Sequence, residues 1–395
     1  MKKYLALLLA LAMIFALAAC GGGQTAAPAE EAPAAEAEAP AAEAPAAEEP
    51  AAEAEEPAAE EPAEEEAAVA VEPLDISFST NFQETETGGQ IIHKWIDLLA
   101  EYSDGAITVT PYWGGTLFGD PDILDGLESG AVNMTTFGHM PHTGTLNYLG
   151  FPGFAPGGTE GALKMFNEVC FNNPETSALV QGELAEHDVI FLNVLPGGAN
   201  AYCAKYEFSD LDSLIAGCSS FGNMDAAIYE KLGFQVTAVA PWDCYDSLQR
   251  GLIDATQMGL TPMVSMQWYQ VAPYWALDGT YSAGNFISAN LTWWNGLSPE
   301  QQEIIQRASD DVAAWSMEMY DQDIDTQVAT VEEATGNAFV QFSDEDIARI
   351  WAATFDAKAD AALAAAAANG KTEGMIKILQ VCADVTGYDW QAPEA

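Results

Sequence analysis

A tract of 49 residues that cannot build a hydrophobic core limits what this chain can fold into. From Gln24 to Glu72 the sequence is almost entirely Ala, Glu and Pro, with sixteen glutamates and neither basic nor aromatic residues. Ala and Glu favour helix, but recurrent prolines interrupt any long helix, and unpaired like charges favour an extended chain. We therefore predict that residues 20–72 form a disordered linker and that the folded part spans residues 73–395.

The residues before this tract have the pattern of an export signal. Two lysines precede an apolar run from Leu5 to Leu17, which is too short to span a bilayer comfortably. The sequence Leu-Ala-Ala-Cys at 17–20, followed by glycines, resembles a bacterial lipobox, in which the cysteine is acylated after cleavage. This predicts a signal peptide at 1–19, a lipid anchor on Cys20 and a location at the outer face of the cytoplasmic membrane. The alternative is an ordinary signal peptide that happens to contain a cysteine.

The predicted folded part is strongly acidic. Of the 60 acidic residues in the chain, sixteen lie in the linker, which leaves 44 against ten basic residues and a net charge near −34. Such a surface repels nucleic acid and anionic lipid headgroups, so neither is expected as a partner. It is also unfavourable for capturing an anionic solute, unless the binding site differs locally from the rest of the surface.

The sequence contains no motif for metal, cofactor or catalytic chemistry. Beyond Cys20 there are five cysteines, an odd number without a CxxC pair, which favours buried free thiols over a disulfide framework or a zinc site. His139 and His142 are three residues apart, but no cysteine or acidic pair accompanies them. A nucleophile elbow, a P-loop and a dinucleotide-binding fingerprint are all missing. We expect no cofactor, no metal site and no catalytic residues.

Hydrophobic periodicity predicts strands that alternate with helices. Period-two patterns predict strands at 74–78, 106–112, 132–134, 189–194 and 234–239. Helical patterns occur at 91–102, 121–129, 226–232 and 246–253. Beyond these, Ser298, Pro299 and Gln301 have the pattern of an N-cap, a first-turn proline and a capping box, and a further helix opens at Ser343. The pattern indicates an α/β fold with mostly parallel strands and long C-terminal helices.

Three segments carry a family resemblance. The first is YWGGTLFGD at 112–120 with ILDGLESGAVNM at 123–134. The second is the LG pair at 232–233 with VAPWDCYDSLQRGLI at 239–253, and the third is WNGLSPEQQ at 294–302. In order and spacing these segments resemble the extracytoplasmic solute receptors of TRAP transporters.

The resemblance implies a two-lobed clamshell of the periplasmic-binding-protein type, with mixed or parallel sheets. The chain is then expected to cross between the lobes near 195–205 and again in its C-terminal half. A small-molecule solute would bind in the cleft between the lobes, and closure would present the receptor to the TRAP membrane permease subunits. Transport would be driven by an ion gradient, without a bound nucleotide, and the chain would be a receptor rather than an enzyme.

The expected ligand site departs from the family pattern. Most members have L-x-G-x-K-x-R before the second segment, and its arginine pairs with a ligand carboxylate. Here 214–221 is LIAGCSSF, a second family arginine is missing from 196–202, and the family's D-G-x-x-N becomes DATQM at 254–258. The arginines of the folded part fall on predicted helices, at Arg250, Arg307 and Arg349. We therefore expect a neutral polar or cationic solute rather than an arginine-clamped C4-dicarboxylate.

The candidate ligand-binding residues are aromatic and polar. Aromatic rings offer stacking area and attract cations, while Asn, Ser and Asp offer hydrogen bonds. The candidates are Asn81, Phe82, Asp120, Ser220, Trp242, Tyr245 and Met258. In the alternative interpretation, Trp242 and Tyr245 pack the start of the following helix, and Asp120 caps the helix that opens at Pro121.

Three other functions remain as alternatives. A receptor for C4-dicarboxylates or other organic acids would hold its ligand without arginine, through backbone amides at a helix N-terminus or through Lys205. A surface sensor or adhesin of the same fold would bind a solute without transporting it. A surface hydrolase is disfavoured, because no pair of carboxylates is set apart by its spacing.

Overall fold

Strands and helices alternate along residues 71–393, the part of the chain that this computed structural model describes. The predicted signal peptide, Cys20 and the linker as far as residue 70 lie outside the described residues. The strands are β1 (Leu74–Ser79), β2 (Ile107–Tyr112), β3 (Met134–Gly138), β4 (Phe154–Pro156), β5 (Val189–Ala204), β6 (Phe221–Gly222), β7 (Val236–Thr237), β8 (Ala255–Gly259) and β9 (Tyr274–Asn290). The helices are α1 (Thr87–Tyr102), α2 (Ile123–Glu128), α3 (Gly158–Asn167), α4 (Pro174–Glu186), α5 (Leu211–Gly217), α6 (Ala226–Leu232), α7 (Cys244–Arg250), α8 (Leu260–Ser265), α9 (Leu291–Asn295), α10 (Pro299–Thr335), α11 (Asp344–Ala368) and α12 (Thr372–Thr386).

The nine strands form one mixed sheet. Its order is β2-β1-β3-β9-β5-β8-β6-β7, and β4 also pairs with β9. The predicted α/β fold with long C-terminal helices is confirmed. Parallel pairing, however, is confined to the two ends of the sheet, where β1 pairs with β2 and β3, and β6 pairs with β7 and β8. In the middle every pairing is antiparallel, because the two longest strands, β5 and β9, run in opposite directions beside each other.

Strand β5 passes through two sets of hydrophobic cores. In its first half, Val194 belongs to a core with α3, α4, α11 and α12, and Leu195 to a core with α1 and α10. In its second half, Ala199 belongs to a core with α7 and α8, and Tyr202 to a core with α5 and α6. The change of core coincides with register shifts in the β5–β9 pairing. Because each half of β5 has its own pair of cores, residues 71–393 form two lobes. The crossing of the chain between the lobes near 195–205 stays a prediction.

The longest helix, α10, begins where its sequence signals predict. The Ser298 hydroxyl accepts a hydrogen bond from the Gln301 backbone amide at 3.2 Å, and the Gln301 side chain accepts one from the Ser298 amide at 3.0 Å. The helix ends at Gly336, which has a φ of 73°. Its buried face packs on α1, where Trp95 Nε1 donates to Ser309 Oγ at 3.2 Å. The predicted capping box is confirmed.

The strand expected at 234–239 is reduced to Val236–Thr237. Phe234 is buried in the core of α5 and α6, whereas Val239 is buried in the core of α7 and α8. The apolar alternation therefore reflects burial at two separate places rather than one continuous strand.

Two predicted helices are shifted. The helix expected at 121–129 begins at Ile123, because Asp120–Asp122 forms a 3-10 turn around a proline. The helix expected at 246–253 is α7, which begins two residues earlier and ends where Gly251 takes a φ of 74°.

The cysteines within residues 71–393 form no disulfide. Four of them are buried, as expected, whereas Cys218 is half-buried. None of the described helices is long and apolar enough to cross a membrane. Nor do the described residues contain a cluster of three or more His, Cys, Asp or Glu side chains that could hold a metal ion.

Candidate functional site

A cavity of about 490 Å³ opens at the middle of the sheet, beside the irregular part of the β5–β9 pairing. Phe82, on one wall, packs against the core of α1 and α10, and Met258, on another, packs against the core of α7 and α8. The cavity therefore lies between the two lobes. Its polar lining residues include Glu86, Thr87, Asn200, Tyr202, Asn223, Asp225, Tyr229, Thr256, Gln257, Thr261, Asp278, Thr280, Ser282, Asn285, Tyr320 and Asp323. Its apolar lining residues include Phe82, Phe154, Met224, Ile228, Val239, Met258, Leu260 and Trp268.

The charged side chains that line the cavity are all acidic. The described residues that line it include no lysine, arginine or histidine, and its carboxylates are Glu86, Asp225, Asp278 and Asp323. Asp225 pairs with Lys358 of α11 at 3.2 Å, and Asp323 accepts a 2.7 Å hydrogen bond from Gln327. Since like charges repel more strongly away from bulk water, the cavity favours a cation over an anion.

An irregular backbone gives the cavity its shape. The β5–β9 register shifts several times between Leu195 and Ala201. On β9, Gly279 has a φ of 79°, and a Cβ added there would lie 2.7 Å from the side chain of Ile347. Such irregularities redirect neighbouring side chains, and a positive φ in so tight a space requires glycine. The residue before this glycine, Asp278, lines the cavity.

Asp278 is a buried carboxylate, and no cationic side chain of residues 71–393 forms an ion pair with it. It is 1% exposed. Its Oδ1 accepts 2.7 Å hydrogen bonds from the backbone amide and the hydroxyl of Thr280, and its Oδ2 accepts one of 2.6 Å from Gln257 Nε2. Burial raises the pKa of Asp278 to about 6, against the opposing effect of these hydrogen bonds. Near neutral pH the cavity wall therefore carries an uncompensated negative charge.

The hydrogen bonds continue along the wall on both sides of Asp278. The Tyr229 hydroxyl donates to Gln257 Oε1 at 2.5 Å, and Asn200 Nδ2 donates to Thr280 Oγ1 at 3.0 Å. All these residues line the cavity. The Tyr229 hydrogen bond fixes the Gln257 amide, so that its nitrogen is the atom that faces the carboxylate.

Two of the seven predicted ligand-binding residues, Phe82 and Met258, line the cavity. Ser220 does not line the cavity. Its hydroxyl is hydrogen-bonded to that of Thr237 at 2.7 Å.

Trp242 and Tyr245 also lie away from the cavity wall. Tyr245 packs against the core of α7 and α8 and donates to Gln270 Oε1 at 3.2 Å, so for this residue the packing alternative is confirmed. Trp242 is 76% exposed, so in this conformation it neither lines the cavity nor packs the start of α7. It follows Pro241, which lines the cavity.

Asn81 and Asp120 meet each other beside the cavity. The Asn81 side-chain amide donates to Asp120 Oδ1. A Cβ added at Gly138 would lie 3.5 Å from Asp120 Oδ1 and 3.6 Å from Oδ1 of Asn285, which lines the cavity. The alternative role for Asp120 as a helix cap is wrong, because α2 begins beyond the 3-10 turn and Asp120 makes no capping hydrogen bond.

The basic residues considered as ligand partners lie elsewhere. Lys205 Nζ lies near Gly251, and Lys205 does not line the cavity. The arginines are on the helices where they were predicted, and they pair with carboxylates in Arg250–Asp246, Arg307–Asp311 and Arg349–Asp212.

Asp278 and Gln257 were both missed as ligand-site residues. The signal for Asp278 was weak: an Asp-Gly pair within a run of otherwise neutral residues, Tyr274–Asn290. Gln257 lies next to the predicted Met258 in the segment that replaces the family's D-G-x-x-N. Both residues line the cavity, so the alternation of side chains along β8 does not exclude either of them.

The sequence and the fold both resemble known solute-binding proteins. Residues 222–363 match the family described as bacterial extracellular solute-binding protein, family 7. The ectoine/5-hydroxyectoine-binding periplasmic protein UehA of Ruegeria pomeroyi is 25% identical over 263 residues, which cover 63% of this chain and 74% of that protein. The monocarboxylate 2-oxoacid-binding periplasmic protein all3028 of Nostoc sp. is 24% identical over 287 residues, covering 69% and 74% respectively.

Among solved structures, a TRAP periplasmic solute-binding protein from Ochrobactrum anthropi has the same fold. The two superpose with a TM-score of 0.67 at 19% identity, over 80% of this chain and 97% of the other. The two-lobed architecture predicted from the sequence is confirmed by this likeness.

Proposed function

We propose that this chain, whose residues 222–363 match the bacterial extracellular solute-binding proteins of family 7, is the solute receptor of a TRAP-type secondary transporter. It is a binding protein and not an enzyme, like the relatives that it matches. A small solute enters the cavity between the lobes, and the loaded receptor docks on the membrane permease subunits.

The proposed receptor is held at the outer face of the cytoplasmic membrane by a lipid on Cys20. The support for this anchor is the sequence at 17–20 behind an apolar run. The acidic linker gives the folded part reach, since an extended chain without aromatic residues neither collapses nor packs.

The solute in this proposal is neutral and polar, or cationic. The observation that carries this is the charge of the cavity, whose described lining has four carboxylates and no basic side chain. A buried ligand carboxylate without a positive partner is far too costly, and family receptors of the usual type meet that cost with arginine. Here the arginines pair with surface carboxylates on helices.

The names of the relatives point to more than one class of solute. The Ruegeria pomeroyi protein is named for ectoine, a compact zwitterion. Its delocalised cationic ring matches the proposed solute class, whereas its carboxylate would find no basic side chain in this cavity. The Nostoc relative is named for monocarboxylate 2-oxoacids, and an acid of that kind is the second candidate. Such an acid would have to bind here without a basic side chain, because Lys205 lies outside the cavity wall.

Calorimetry tests the proposed solute class. We expect succinate, malate, fumarate and pyruvate to give no micromolar binding to the unmodified protein, while neutral polar or cationic solutes of similar size do bind. Micromolar or tighter binding of any of these four acids would show that the absence of arginine from the cavity does not exclude acidic solutes.

A further inference from the structure

We propose that Asp278 selects the solute, and that the solute presents to it a positively charged nitrogen that carries N–H groups. The inference rests on the proposed receptor function and narrows its solute class. It excludes neutral solutes and quaternary ammonium compounds. The negative charge of the cavity alone does not distinguish these two classes from a cation that carries N–H groups.

The first argument is the hydrogen-bonding capacity of the carboxylate. An ionised carboxylate offers about four lone-pair positions. Thr280 occupies two of them on Oδ1, and Gln257 occupies one on Oδ2. One position remains on Oδ2, and it can be filled by a donor but not by another acceptor.

The second argument is access. Asp278 lines the cavity yet is 1% exposed, so at most a narrow opening leads from the cavity to its carboxylate. A single N–H group is slim enough to enter such an opening. The methyl groups of a quaternary nitrogen would hold the positive charge farther away and would donate no hydrogen bond. Quaternary ammonium ions are usually bound by aromatic faces instead.

The third argument concerns the groups beside Asp278. The Tyr229 hydroxyl uses its hydrogen on Gln257, which leaves its oxygen as an acceptor. Asn200 uses its amide nitrogen on Thr280, which leaves its carbonyl oxygen. Both residues line the cavity, so the wall around the carboxylate offers further acceptors to a nitrogen that bears several hydrogens.

A purely structural role does not explain the carboxylate. Asp278 does connect β9 to β8 through Gln257, but an asparagine could keep a connection if the Gln257 amide turned over and its nitrogen donated to the Tyr229 hydroxyl. Burying a charge without an ionic partner is costly, and buried charges of this kind usually occur at functional sites. A cationic solute would supply the missing partner.

Matched probes test the inference on the unmodified protein. The first set is 1,5-diaminopentane, its bis(trimethylammonium) analogue and pentane-1,5-diol, which share a five-carbon chain and differ in the head group. Agmatine adds a guanidinium, and 2-methyl-1,4,5,6-tetrahydropyrimidine adds a cyclic amidinium without a carboxylate. We expect at least one of the N–H cations to raise the melting temperature and to bind in calorimetry, and the quaternary and hydroxyl analogues to bind at least tenfold more weakly.

Two variants locate the effect. Asp278→Asn should weaken binding of the stabilising N–H cation at least tenfold. Asp321→Asn removes the same charge from outside the cavity, at a carboxylate that accepts a 2.7 Å hydrogen bond from Thr159, and should change the affinity less than threefold. Circular dichroism of both variants establishes that they fold. Should Asp278→Asn not fold, the comparison of head groups on the unmodified protein decides alone.

The outcomes separate the inference from the function on which it rests. Binding of the diol or the quaternary analogue as tight as that of the diamine overturns the inference, and so does a panel in which no N–H cation binds. Unchanged affinity in Asp278→Asn overturns it as well. In each of these cases the receptor function stands if any neutral, quaternary or acidic solute binds, and micromolar binding of succinate, malate, fumarate or pyruvate overturns the proposed solute class.

Discussion

Gln257 of β8 donates a 2.6 Å hydrogen bond to Asp278 of β9, although β5 lies between these two strands. The two side chains reach across β5 where its pairing with β9 is irregular, at the wall of the cavity. The connection brings together two strands that share no backbone hydrogen bonds. A change in the charge of Asp278 should therefore affect both solute binding and the stability of the sheet.

The pH dependence of stability provides the first prediction. The pKa of Asp278 is raised from 3.8 to about 6, so the folded state favours the protonated acid. The resulting stabilisation is fully present below about pH 4 and is lost as the pH rises through 6. Relative to Asp278→Asn, the ligand-free protein should lose about 2 kcal/mol of unfolding free energy between pH 4 and pH 7. Urea unfolding at several pH values measures the difference.

The comparison with Asp278→Asn removes the contributions of other groups. Tyr202, Tyr229 and Tyr281 face the same charge, but burial raises their pKa values above 10, so they do not titrate in this range. Glu86, Asp225 and Asp323 are present in both proteins. Parallel pH profiles for the two proteins would contradict the prediction.

The second prediction concerns Gly279. Alanine there would meet both a φ of 79° and the side chain of Ile347 at 2.7 Å, so Gly279→Ala should cost more than the roughly 1 kcal/mol of a positive φ alone. The matched control is Gly336→Ala, where φ is 73° and an added Cβ meets nothing within 4 Å. We expect Gly279→Ala to lower the free energy of unfolding by at least 1 kcal/mol more than Gly336→Ala. Equal losses would mean that the space beside Ile347 is not restrictive.

Much of the fold could be predicted from local patterns. The helix α6 begins and ends where its apolar spacing places it, and the capping box at Ser298 marks the start of α10. The long β9 was missed, because Gly279 and Gly284 interrupt its pattern and its pairing with β5 depends on residues some eighty positions away. Pairing between distant strands leaves no local signal, and with it the antiparallel middle of the sheet was missed.

The candidate site was harder to predict than the fold. Phe82 was found because it follows the first predicted strand, and Met258 because it lies in the segment that replaces the family's D-G-x-x-N. Asp278 could not be found in that way, since the significance of an aspartate depends on its burial and on the lack of a cationic neighbour. Both properties are set by tertiary packing. The lack of arginine, in contrast, is a property of the sequence itself, and it indicated the charge of the cavity correctly.

The third prediction tests the lipid anchor, which falls outside the described residues. If Cys20 is acylated, Cys20→Ser should move the protein from the membrane fraction into the soluble extracytoplasmic fraction, because the variant lacks the thiol to which the lipid is attached. Cys218→Ser is the matched control, since it removes a half-buried thiol from the folded part. Fractionation followed by immunoblotting measures the distribution. Equal membrane retention of the Cys20→Ser variant would rule out the anchor.

The fourth prediction concerns closure of the lobes. Phe82 and Met258 line one cavity but pack against different cores, so a solute that contacts both walls should draw the lobes together. Small-angle scattering of the protein with a saturating solute should give a smaller radius of gyration than without it. The linker contributes equally to both measurements. An unchanged scattering curve at saturation would contradict closure.

The last prediction uses Trp242 as a reporter of the same movement. This side chain is 76% exposed in the present conformation, and it follows Pro241, which lines the cavity. Closure around a solute should bring the facing lobe over the indole, which lowers its exposure to water. We therefore expect tryptophan emission to shift to shorter wavelength, and quenching by acrylamide to decrease, when a solute binds.

The chain has ten tryptophans, so the signal is the difference between the unmodified protein and Trp242→Phe. This variant should bind the same solute, because Trp242 does not line the cavity, while losing most of the spectral change. A shift of equal size in both proteins would mean that the change comes from another tryptophan, such as the buried Trp268 in the cavity wall.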